Sequence, residues 1–161
     1  MIYLTNMIEK SNKEMGPKQV LIPIINAFPG MHPEMLETMA IGASALILVV
    51  QATGGSASNL NETIKKLTEK NIPVFLVAEK PGNDFGITRI VDQTQIESSK
   101  AGAIRIEKLN YKDITKITQI IQEKIKEGKT GKELGQAVYD AFSYKEGEEK
   151  PTPEWENNNT K

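Results

Sequence analysis

The stretch Val20–Leu60, VLIPIINAFPGMHPEMLETMAIGASALILVVQATGGSASNL, fixes the fold class. It reads as an apolar strand, a Pro-Gly turn, an amphipathic helix, a second apolar strand and a loop of small polar residues, which together make one β-α-β unit. The runs Val20–Ile25 and Ala45–Val50 are continuously apolar and lack the alternation of a strand with one face in water. Both faces of both strands are therefore expected to be covered, as in a parallel sheet flanked by crossover helices.

The pattern repeats on either side of this unit. The first strand is expected over Lys18–Ile25, broken at Asn26, with Phe28-Pro29-Gly30 turning the chain into a helix over Pro33–Ile41 that Gly42 closes. A second strand, Ser44–Val50, leads through the small-residue loop to a helix over Leu60–Lys70. Leu60, Ile64 and Leu67 share one face of that helix, and Asn71 ends it. A third strand, Ile72–Ala78, precedes a Gly/Pro-rich segment, EKPGNDFG, and a short helix over Gln93–Lys100. Gly102 then separates that helix from a fourth strand, Ala103–Glu107. Isoleucines at 114, 117, 121 and 125 give Tyr111–Lys126 core-facing helical spacing, Gly128 stops it, and Gly131–Phe142 offers a last helix with Leu134, Val138 and Phe142 on one face. The expected fold is a single α/β domain of three layers, flavodoxin-like, with a four-stranded parallel sheet, right-handed crossovers and helices on both faces.

Composition bounds what such a domain can do. With 161 residues, 39% of them hydrophobic, the chain can bury about 70% of its unfolded surface in one core. That core is expected over residues 18–143, after a polar leader at 1–17 broken by Gly16-Pro17. It is followed by a polar acidic tail at 144–161 that holds too little apolar surface to order itself; Trp155 lies within it. A net charge of −1, with lysines dispersed among glutamates, gives no footprint for nucleic acid. The longest apolar runs are too short to span a bilayer and the first residues carry no secretion signal, so the cytoplasm is the expected setting. No cysteine is present, which excludes disulfides, thiolate metal sites and cysteine nucleophiles and fits a reducing compartment. The single histidine, His32, stands at a helix start before Pro33 and reads as structural. Without a second histidine or a tight carboxylate cluster, neither a metal nor a cofactor is expected.

Candidate chemistry gathers in the loop Gln51–Asn59, which leaves the carboxyl end of its strand, where open parallel α/β sheets hold ligands. Gly54-Gly55 lets backbone approach a partner, and Thr53, Ser56, Ser58 and Asn59 offer hydroxyl and amide groups. The same loop has a plainer use, since Ser58 or Asn59 can cap the following helix. A phosphate site at that helix start is a further option, against which stands the lack of any basic residue in the loop.

The order FPGMHPE, GASALILVV, a Gly/Ser/Asn loop, a helix, NIPVFLVAEKPG, then AGAI and a long helix resembles the C-terminal domain of bacterial and archaeal L-asparaginases, a family that includes the related subunit of a Glu-tRNA amidotransferase. The resemblance spans about Lys18 to Phe142. It implies a small domain, free-standing or excised, that assists amide hydrolysis only beside an N-terminal catalytic domain or subunit, by completing the substrate site across an interface. It also implies that the isolated chain is inactive. Carried onto this sequence, the loop asparagine of the family would be Asn59, with Ser56 and Ser58 as stand-ins. The second contact loop would be Lys80–Gly86, with Lys80, Asn83 and Asp84 as its polar groups. The family loop usually reads Gly-x-Gly-x-Gly-Asn, and here it is QATGGSASN. ATGGSAS also resembles the family's nucleophile motif, Thr-Gly-Gly-Thr-Ile-Ala, which would make Thr53 the attacking group, but no matching Thr-Asp-x-x-Glu segment follows. The expected partners are a further copy of the chain or an asparaginase N-terminal-like catalytic partner, with an amino-acid amide as ligand. The alternative is a non-enzymatic module of the same fold that binds a small ligand or oligomerises.

Overall fold

The computed structural model describes residues 19–50, 57–79 and 93–143. Its elements in chain order are β1 (Ile24–Asn26), α1 (Pro33–Met39), β2 (Leu46–Val50), a 3-10 turn (Ser58–Leu60), α2 (Asn61–Glu69), β3 (Val74–Ala78), α3 (Gln93–Lys100), β4 (Ile104–Asn110), a second 3-10 turn (Tyr111–Asp113), α4 (Ile114–Lys126) and α5 (Gly131–Ser143). The expected leader at 1–17 and tail at 144–161 lie outside the described residues.

The strands form one sheet in the order β1-β2-β3-β4, and every pairing is parallel. Ile24 lies beside Ile47, and Ile47 beside Phe75, so alternate residues of each strand fall on opposite faces. Each face has its own core. On one, Ile25, Leu48 and Leu76 pack with Leu36 of α1 and with Leu60, Ile64 and Leu67 at the start and along the face of α2. On the other, Ile47, Phe75 and Val77 pack with Ile117 and Ile121 of α4 and with Leu134, Val138 and Tyr139 of α5. The α/β architecture, the parallel sheet and the two helical layers are those the sequence implies.

Local chemistry sets the boundaries. Asn71 takes a left-handed backbone, φ 63°, after α2, and the amide of Ile72 donates back to Leu67, which satisfies carbonyls at the helix end. Gly128, φ 87°, ends α4 in the same way, with Lys129 donating to Lys124. Gly135 in α5 acts through its size instead. A Cβ there would collide with Cδ1 of Ile104, so this glycine lets the helix lie close on β4.

Two expectations are corrected. The first strand begins only at Ile24 and runs through Asn26, the residue expected to break it, and among the described residues its two faces are unequally covered: Ile25 is buried, whereas Ile24 is 42% exposed. Among the described residues β1 is an edge, and the layer of α4 and α5 is built on β2, β3 and β4. The fourth strand runs on past Glu107 to Asn110 through an irregularity, so that Leu76 pairs with Arg105 while Ala78 pairs with Asn110.

Candidate functional site at the carboxyl rim

Because all four strands point one way, the segments that leave β1, β2 and β3 begin at a common edge of the sheet. Backbone bonds carry the sheet pairing slightly beyond the strands: Ala27 donates to the carbonyl of Val49, and Glu79 to that of Val50, both at 2.8 Å. The rim therefore starts from a rigid base.

After β1, Met31 donates to Phe28 across the Pro-Gly turn, and its side chain is buried in the core. His32 follows at the N-cap of α1 with an extended backbone and an exposed side chain that makes no capping bond, and Pro33 takes the first helical position. The lone histidine thus stands at the helix start that the sequence implies, before a proline whose fixed φ suits the first helical position.

After β2, Ser58 and Asn59 both fall within the 3-10 turn, and both are exposed. Neither caps α2. The turn runs directly into the helix: Leu60 donates to Ala57 at 2.9 Å, and Leu60 itself holds a helical backbone at the cap position with no side-chain bond. Continuous turn geometry satisfies amides that a capping side chain would otherwise take. The Asn59 carboxamide goes elsewhere, with Nδ2 donating to the carbonyl oxygen of Met31 at 2.9 Å. A carboxamide offers two N–H donors and one acceptor oxygen. One donor is engaged in tying the loop after β2 to the turn after β1, and the remaining donor and oxygen belong to an exposed residue on the rim.

Sequence reasoning missed this tie, because a backbone carbonyl 28 positions away leaves no trace in residue types. A second link joins the same two segments lower down, where Lys66 Nζ of α2 stands 3.5 Å from Glu37 Oε1 of α1. Thr53, Gly54, Gly55, Ser56, Lys80, Asn83 and Asp84 lie outside the described residues. Of the residues singled out from the sequence, the structure therefore locates Ser58 and Asn59 on the rim, with His32 on the neighbouring turn. Among the described residues, no group of three His, Asp or Glu side chains stands ready to hold a metal ion. No helix among them is long and apolar enough to cross a membrane.

Neither a family model nor a curated protein sequence matches this chain. Solved structures do. L-asparaginase I from Vibrio cholerae is similar with a TM-score of 0.63 at 15% identity, over 74% of this chain and 36% of the enzyme. The thermostable L-asparaginase from Thermococcus kodakarensis is similar with a TM-score of 0.61 at 16% identity, over 77% of this chain and 36% of the enzyme. The fold is thus asparaginase-like, in agreement with the C-terminal-domain resemblance read from the sequence. This chain spans little more than a third of the length of the enzymes it matches.

Proposed function

We propose that this chain is an asparaginase-like small domain that completes an amide-binding site at an interface with an N-terminal-type catalytic domain or subunit, presenting Asn59 and Ser58 to a bound amino-acid amide. The observation that carries the reading is the rim itself. Asn59 leaves the carboxyl end of the central strand β2, exposed, with its carboxamide anchored to the Met31 carbonyl. A polar group held in that way offers its remaining hydrogen-bonding capacity at little entropic cost, which is the property of a substrate-positioning residue. The likeness to two L-asparaginases over about a third of their length supports a domain-sized role rather than a complete enzyme. The polar groups Ser56, Lys80, Asn83 and Asp84 are included in the proposal on the sequence resemblance alone. A cytoplasmic setting is part of the same reading, with the cysteine-free sequence as its support.

Amide shifts of the full chain, followed by NMR while L-asparagine, L-aspartate and L-glutamine are added to about 10 mM, where ~3 kcal/mol of binding already registers, test this reading. The expected response is concentrated at Met31, His32, Ser58 and Asn59. No response there, with or without an added N-terminal-type catalytic partner, contradicts it.

One observation favours the non-enzymatic alternative: an Asn59 donor is spent inside the chain, as in a rim kept for shape. Asn59→Ala separates the two. A structural tie alone costs stability and leaves any ligand response unchanged, whereas a ligand contact costs the response as well.

A further inference from the structure

Exposed apolar side chains are not spread evenly over this molecule. Among the described residues, six of the seven large ones, Leu21, Ile24, Phe28, Met35, Met39 and Ile41, belong to the β1 strand, α1 and their connections; the seventh is Tyr111. Isolated exposed apolar residues are ordinary, and a concentration in one segment is not.

Topology gathers them at one margin. Leu36 and Ala40 of α1 face the core, and Glu37 lies on the flank that meets Lys66 of α2. Met35 and Met39, four residues apart, share the opposite flank, which looks out over the β1 edge. Ile24 stands on the other face of the same edge strand, beside its covered neighbour Ile47. The apolar surface therefore wraps around β1 from both sides.

Among the described residues, the strand inside this wrap keeps its edge open. The carbonyls of Leu21 and Pro23 accept from Ser44 and Ile47, and Ala27 donates to Val49, so positions 21, 23 and 27 point their backbone groups at β2. Ile22, Ile24 and Asn26 then direct theirs outward, and no described residue bonds to them. Pro23, which would blunt an edge by removing a donor, falls at an inward position and leaves the outward row intact.

We propose that the β1–α1 margin is the interface between two copies of this chain, related by a two-fold axis normal to the sheet near Ile24, so that β1 pairs antiparallel with its partner's β1 and the two sheets continue into one. Under that axis each face meets its own kind: Ile24 packs by its counterpart, and the Met35–Met39 flank meets the same flank of the second copy. Such self-complementarity is what a two-fold contact demands. Charge permits it, since residues 19–41 hold only two charged side chains, and one of them, Glu37, is turned toward Lys66 on the far flank. Area permits it too. Six large side chains, five of them nearly half exposed and Ile41 more so, offer about 600 Å² of apolar surface per copy, close to the ~800 Å² per partner of a standard interface.

Sedimentation of the full chain at about 100 μM, a concentration that populates even a weak dimer, gives the test. The expected mass is twice 17.8 kDa, and Ile24→Lys or Met39→Lys, each on a separate side of the strand, lowers association at least ~10-fold while circular dichroism stays unchanged. Amide exchange at Ile24 and Asn26 slows as protein concentration rises. A wild-type chain that sediments as a monomer overturns the proposal and leaves the margin to the chain's own remaining residues or to a different protein. A dimer that both variants preserve moves the interface elsewhere and overturns it equally.

Discussion

Ile24 and Ile47 are register partners on one face of one sheet, yet Ile47 is fully buried beneath α4 and α5 while Ile24 is 42% exposed. Both strands lie in continuous apolar runs of the sequence, VLIPII at 20–25 and ALILVV at 45–50. A continuous apolar run therefore marks a strand, and it does not say how fully the described helices cover its two faces. Where the chain's own helices reach, over β2 and β3, all five residues of each strand are buried. Where the described helices do not, at β1, a similar composition leaves Ile24 exposed among the described residues.

Substitutions can probe this contrast at either end. The largest effect is expected in the covered region, where Phe75→Ala should cost ~3–5 kcal/mol in denaturant unfolding, the range for emptying a fully packed aromatic site. Ile47→Ala should cost ~2–4 kcal/mol by the same measurement, and Ile24→Ala in dilute protein less than about 1 kcal/mol, because one deletion opens a cavity and the other trims a surface. Equal losses at the two positions would mean that β1 is covered within the monomer. Gly135→Val, which forces a side chain into Ile104 between α5 and β4, should lower stability by ~1–3 kcal/mol. Asn59→Ala removes one part-buried hydrogen bond and should cost about 1 kcal/mol, with amide-shift changes at Met31 marking the loss of the tie. The smallest effect belongs to Glu37→Gln. Its ion pair with Lys66 is about half exposed, so the change should stay below about 0.5 kcal/mol and fade with added salt.

Period and punctuation carried most of the fold. Leu60, Ile64 and Leu67, then Ile117 and Ile121, then Leu134 and Val138 are buried where their spacing puts them, since helical phase follows directly from chain position. Asn71 and Gly128 end their helices through left-handed backbone that few other residues accept. Sheet-edge status was not legible, because it depends on where α4 and α5 dock, a long-range matter that residues 20–25 do not encode. The irregular pairing of β4 escaped for the same reason. At the rim, the position of Asn59 beyond β2 could be read from the end of the apolar run, whereas its bond to the Met31 carbonyl depends on how the Phe28–Met31 turn folds in space. Its expected role as a cap fails because the chain enters α2 through a 3-10 turn that needs none.

On the function proposed above, the rim of this domain positions an amide and does not itself cleave one. Ammonia release from L-asparagine by the highly purified chain, alone, is the sharpest check of that division. No release above the uncatalysed background is expected, and steady release that Thr53→Ala abolishes would contradict it.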